Sequence, residues 1–98
     1  MLTKEIIKQR IHQNKSQIKK LGIDVIGLFG SYVREEQHEK SDIDLLIAFE
    51  EDKESFNNFM EVCYLLEAIF DGKKVEVVTK NGLSPYIGPK ILKEVEYV

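Results

Sequence analysis

Two aspartates, Asp42 and Asp44, stand one residue apart at the mouth of the apolar run "IDLLIAFE". Side chains alternate along a strand, so both carboxylates point to one face while Ile43 and Leu45 point to the other. Two like charges held this close repel, and burial adds a desolvation cost unless something compensates. Lys40 is the nearest cation in sequence. A later acid, Glu76, interrupts the apolar pattern of "KVEVVT". If that strand lies beside the first, three carboxylates share one sheet face. Such a set of hard oxygens suits magnesium, which takes the rest of its shell from water and phosphate. The plainer reading has Asp42 capping a turn, Asp44 solvated at the sheet edge and Glu76 facing water.

Gly30 and Ser31 form a second group, just upstream. They fall where an apolar strand ends and a short helical segment is expected to begin. Glycine there lets an anion approach the backbone. Ser31 adds a hydroxyl, and the amides that follow can point at the same anion. Arg34, three residues on, is within reach of a phosphate. The alternatives are a tight strand-to-helix turn with Ser31 as N-cap, and a surface arginine pairing with Glu35, Glu36 or Glu39.

These residues need a scaffold. Residues 3–21 predict a helix with Ile7, Ile11, Ile18 and Leu21 near one stripe, Thr3 as N-cap and Gly22 as the stop. "DVIGLFG" and "IDLLIAFE" predict two strands, the second apolar without alternation and therefore covered on both faces. Residues 55–71 predict an amphipathic helix capped by Ser55, with Phe56, Phe59, Met60, Cys63, Leu66, Ile69 and Phe70 at helical spacing. "DGKK" reads as a turn, "KVEVVT" as a third strand and "NGLSPYIGP" as a loop. "KILKEVEYV" reads as a last short helix with an apolar tail. The order predicts an α/β or α+β sandwich, a small mixed sheet of three or more strands with helices packed on it. The P-loop and GxGxxG patterns are both missing.

The chain has 98 residues, enough for one domain spanning 1–98. Hydrophobic residues make up 43% and charged residues 32%, a soluble globular profile. The N-terminus is too charged for a secretory signal, and no apolar run is long enough to span a membrane, so a cytoplasmic protein is expected. A single cysteine makes no internal disulfide, which fits that compartment. The net charge of -3 argues against long contacts with a nucleic-acid backbone by this chain alone. It leaves a nucleotide open, because a bound metal can bring the positive charge.

The stretch "GSYVREEQHEKSDIDL", residues 30–45, carries Gly30-Ser31-x-x-Arg34 and then Ser41-Asp42-Ile43-Asp44-Leu45. It resembles the signature of the nucleotidyltransferase superfamily that includes DNA polymerase beta. By size it is most similar to the minimal nucleotidyltransferases, small domains often found as the antitoxin partner of a HEPN-domain toxin. The resemblance implies the nucleotidyltransferase fold and a nucleotide site of Gly30, Ser31, Arg34 and Ser41. It implies Asp42, Asp44 and Glu76 as catalytic ligands of two magnesium ions. It implies transfer of AMP from ATP to a hydroxyl, with a HEPN-type toxin as the expected acceptor. Two positions depart from the pattern: Glu35 stands where glycine is frequent, and Glu76 where aspartate is common.

The other reactive side chains are unremarkable. His38 lies in a polar loop, His12 on a polar helix face, and Cys63 on an apolar stripe. The apolar tail, with Leu83, Tyr86, Ile87, Ile91, Leu92, Val95, Tyr97 and Val98, fits either a partner or homodimer surface or a helix docked on the sheet. Three functions remain in contention: an adenylylating enzyme, an antitoxin that neutralises its partner by occlusion, and one subunit of a two-protein transferase.

Overall fold

The computed structural model describes residues 1–98. Four strands form one mixed sheet: β1 Ile23–Phe29, β2 Ile43–Phe49, β3 Val75–Thr79 and β4 Glu96–Tyr97, in the order β3-β2-β1-β4. β1 and β2 are antiparallel and joined by residues 30–42, the segment that carries the motif. β2 and β3 are parallel, which requires a crossover, and the helix α3 Phe56–Ile69 supplies it. The sheet is thus the expected small mixed one, with helices packed on it.

Thr3 and Ser55 cap their helices as expected. Their side-chain oxygens accept from the amides of Ile6 (3.3 Å) and Asn58 (3.1 Å). The first helix is not continuous. It divides into α1 Lys4–Gln13 and α2 Lys15–Lys20. At the break the Asn14 side chain turns back and donates to the Arg10 carbonyl at 2.8 Å, sharing it with the Asn14 amide, which also reaches the Ile11 carbonyl. The expected short helix after Gly30 is a run of turns over residues 31–35. At the C-terminus, α4 Gly88–Glu94 ends before the tail, and Glu96–Tyr97 pairs antiparallel with Gly27 and Leu28 of β1. The tail is therefore a fourth strand rather than a helical extension. Three alternating residues, Val95, Glu96 and Tyr97, are too few to announce a strand by pattern.

One face of the sheet packs on α1, α2 and α3. Ile26 and Leu28 of β1 and Ile43, Leu45 and Ile47 of β2 meet Ile7, Ile11, Ile18, Val62 and Leu66 there, all buried. Leu46, on the opposite face, is also fully buried, so β2 is covered on both sides as its unbroken apolar run predicted. Phe56 is an exception on α3: it is 78% exposed and stands outside this core.

Candidate active site

The register across the sheet decides which acids meet. Asp44 is the partner of Phe29 on β1 and of Glu76 on β3. Directly opposed residues in neighbouring strands project to the same face. Asp44 and Glu76 therefore stand side by side, as expected, on the face away from the helical core. Asp42 lies just before β2, two residues back, and its negative charge also reaches Asp44. The Asp44 carboxyl is pushed up to about 6. Partial burial is the largest cause, followed by the charge and hydrogen bonding of Glu76 and then by Asp42.

The donor set fits a hard divalent cation: carboxylate oxygens with more negative charge than nearby cations neutralise. The three side chains do not converge as a finished cage. Asp42 instead faces Lys74, with Oδ2 and Nζ 3.7 Å apart. Lys74 is largely exposed, so this ion pair is weak and easily exchanged for a stronger charge.

Gly30 closes the opposite side. Its φ of 83° lies in the left-handed region that favours glycine. A Cβ on Gly30 would come within 2.9 Å of Asp44 Cγ and closer still to Oδ2. The glycine is therefore needed to make room for the aspartate, a purpose that has no signal in the sequence. After Gly30, the amides of Val33 and Arg34 bond back to the Gly30 carbonyl. Those of Ser31 and Tyr32 donate to no protein acceptor, leaving two donors at the start of the turn. The Ser31 hydroxyl is also without a partner and is partly exposed.

Two of the expected nucleotide contacts are otherwise engaged. The Arg34 guanidinium donates to Glu36 and to Glu94, each at 2.6 Å. The hydroxyl of the buried Ser41 accepts from the His38 amide at 2.9 Å and closes the turn that delivers Asp42. Glu35 takes a φ of 58°, the conformation for which glycine is best suited. Its side chain is well exposed and lies 3.9 Å from Lys4 on α1. The extra charge thus points away from the acid pair.

Glu94 was not foreseen. It accepts from the Gly30 amide at 2.7 Å as well as from Arg34, and these donors hold its carboxyl below the usual range against the opposing effect of burial. At the end of "KILKE" it reads as an ordinary surface glutamate, and only the fold brings it to the motif. A cleft of about 340 Å³ opens beside Asp44 and Glu76, walled by Phe29, Val78, Leu83, Ile87 and Ile91. Here too the wall residues of the C-terminal segment lacked a sequence signal beyond their apolarity.

A Gly-Ser turn with free amides stands against carboxylates on adjacent strand ends, donors of a kind that suit a phosphate. A nucleotidyltransferase domain family model matches residues 4–98. The chain belongs to the nucleotidyltransferase domain family. It is 41% identical to the protein adenylyltransferase MntA of Thermococcus cleftensis, over 100% of this chain and 98% of that protein. A solved structure provisionally described as a minimal nucleotidyltransferase is 30% identical with a TM-score of 0.82, covering 97% of this chain and 95% of the other. A toxin–antitoxin crystal structure with AMP-PNP is 26% identical with a TM-score of 0.65, covering 86% of this chain and 71% of the other. The nucleotidyltransferase fold expected from residues 30–45 is thus the fold this chain has. No helix is long and apolar enough to cross a membrane.

Proposed function

We propose that this nucleotidyltransferase moves AMP from ATP to a hydroxyl on a partner protein, a HEPN-type toxin for which this chain is the antitoxin. The observation that carries the reading is the pairing of Asp44 with Glu76 beside the free amides of Ser31 and Tyr32. Two further facts support it. The similar toxin–antitoxin structure holds an ATP analogue, and the similar MntA is a protein adenylyltransferase.

In this reading the Ser31 and Tyr32 amides and the Ser31 hydroxyl bind the triphosphate oxygens. Gly30 gives them room. Asp44, Glu76 and, once released from Lys74, Asp42 are the residues that would hold magnesium, and the metal would supply neutralisation of developing phosphate charge. The acceptor hydroxyl enters the cleft beside Glu76, which takes its proton. Its oxygen attacks the α-phosphorus in line, one oxygen–phosphorus bond forms, the bond to the β-phosphate breaks, and pyrophosphate leaves. The contribution of the protein is positioning and electrostatics. Arg34 serves the turn through its carboxylate partners, and Ser41 serves it by fixing the approach of Asp42.

The test is incubation with ATP labelled at the α-phosphate, magnesium and the product of the neighbouring gene. Label on that protein supports adenylylation. Neutralisation of the partner without label, unchanged by Asp42→Ala, supports occlusion instead. The mobility of the labelled partner after phosphodiesterase treatment identifies the group transferred.

A further inference from the structure

We infer that Glu94 is a positioning residue for nucleotide binding, clamping the Gly30–Arg34 turn from the C-terminal helix. The inference rests on the functional reading above and extends it to a residue outside the motif.

The geometry is specific. One carboxylate oxygen of Glu94 takes the Gly30 amide at 2.7 Å and the other takes Arg34 Nη1 at 2.6 Å. The two donors lie at opposite ends of a single turn, so one side chain fixes both. The Glu94 side chain is only 14% exposed, whereas Glu36, the second partner of Arg34, is 64% exposed. A charge-assisted bond held away from water is the stronger of two otherwise similar contacts. Glu94 is therefore the dominant restraint.

The clamp also settles which amides are left. With the Gly30 amide committed, the free donors of the turn are those of Ser31 and Tyr32. Held at Gly30 and at Arg34, and closed by the Val33 and Arg34 amides on the Gly30 carbonyl, the turn restrains the two peptides between. It also holds Gly30 in its left-handed conformation against Asp44, so phosphate donors and acid share one frame. α4 is itself anchored by the buried Ile91, and β4 follows directly, so the restraint is backed by the sheet. Lys90, one turn before Glu94, lines the same small recess and is in no ion pair, which leaves a cation beside the clamp.

The alternative is that Glu94 imitates a phosphate and competes with ATP. The two ideas predict opposite signs. Calorimetry of ATP with magnesium on the whole protein would compare the natural chain with Glu94→Ala and Glu94→Gln. Positioning predicts at least a tenfold weaker Kd in Glu94→Ala. Glu94→Gln keeps an acceptor for Gly30 and should recover most of that loss. In turnover the loss should fall on KM for ATP, with kcat changed less than threefold. A purely structural role would lower the folded fraction, and with it kcat, at constant KM. Amide exchange at Gly30 should quicken in Glu94→Ala and stay slow in Glu94→Gln. Unchanged or tighter ATP binding in Glu94→Ala overturns the inference. Failure of the natural chain to bind ATP overturns the functional reading, and the inference with it, and is recognised before any variant is made.

Discussion

The two faces of β2 are built from alternate residues; both bury apolar side chains, but one of them also carries Asp44. Ile43, Leu45 and Ile47 are fully buried against three helices. Asp44, between two of them, faces Glu76 and the close approach of Gly30. The first face lowers its free energy by excluding water from apolar surface. The second carries Asp44, whose partial burial, together with the charges of Glu76 and Asp42, raises its pKa to about 6, an arrangement that opposes folding at neutral pH. The helical face therefore holds the strand in place so that the other can keep a strained electrostatic arrangement, as functional sites commonly do.

Leu45→Ala should have the largest effect on stability and the least specific effect on the site. Loss of a fully buried leucine costs about 2–5 kcal/mol, visible as a lower denaturant midpoint. ATP affinity per folded molecule should hold; a matching loss of affinity would mean that the two faces are not separable.

Gly30→Ala should damage both faces' boundary at once. The left-handed backbone costs about 1–2 kcal/mol for a residue with a Cβ. The new methyl also collides with Asp44. We expect transfer to fall by roughly 100-fold, the scale of losses seen when a reacting geometry shifts by about 1 Å. Near-normal transfer in this variant would show that the close approach is incidental.

Acid titration should separate the faces further. Between about pH 4 and about pH 6 the folded state retains a proton on Asp44 that the unfolded chain has released. The magnesium-free protein should thus lose stability as pH rises through that window, by on the order of 1 kcal/mol after allowance for solvent screening. Glu94 and Glu96, whose pKa values are lowered, act with the opposite sign and at lower pH: they stabilise the fold above the usual carboxylate range, and this is lost on acidification. Thermal melts of the natural chain and Asp44→Asn, at both ends of the window, isolate the Asp44 part. An identical slope in the two would remove it.

The smallest effect expected is a gain. Glu35→Gly relieves a left-handed residue and gives up one long, exposed contact to Lys4. Stability should rise by up to about 1 kcal/mol with transfer unchanged.

The parts of this molecule that could be read from sequence are those set by local rules. Thr3 and Ser55 are caps because a hydroxyl precedes an apolar stripe. The burial of β2 follows from its unbroken apolar run. The Asp44–Glu76 pairing was anticipated because an acid inside an apolar strand demands a reason. What escaped depends on tertiary contact. Glu94 reaches Gly30 across 64 residues, and no spacing announces it. The division of α1 from α2 falls at Asn14, whose amide and side chain share the Arg10 carbonyl, a detail no periodicity carries. The tail becomes a strand because β1 offers an open edge at Gly27 and Leu28. For Arg34 the pairing with Glu36 is one of the two readings its sequence neighbours offer, while the second partner, Glu94 of α4, comes only with the fold.

The central claim is that the acid face of β2 performs nucleotide transfer while its apolar face does not take part. The most direct measurement is the rate of AMP incorporation into the partner by Asp44→Asn, relative to the natural chain at equal folded concentration. The account predicts a fall of about a thousandfold or more with the melting temperature equal or higher. Incorporation within a few fold of the natural rate would contradict it.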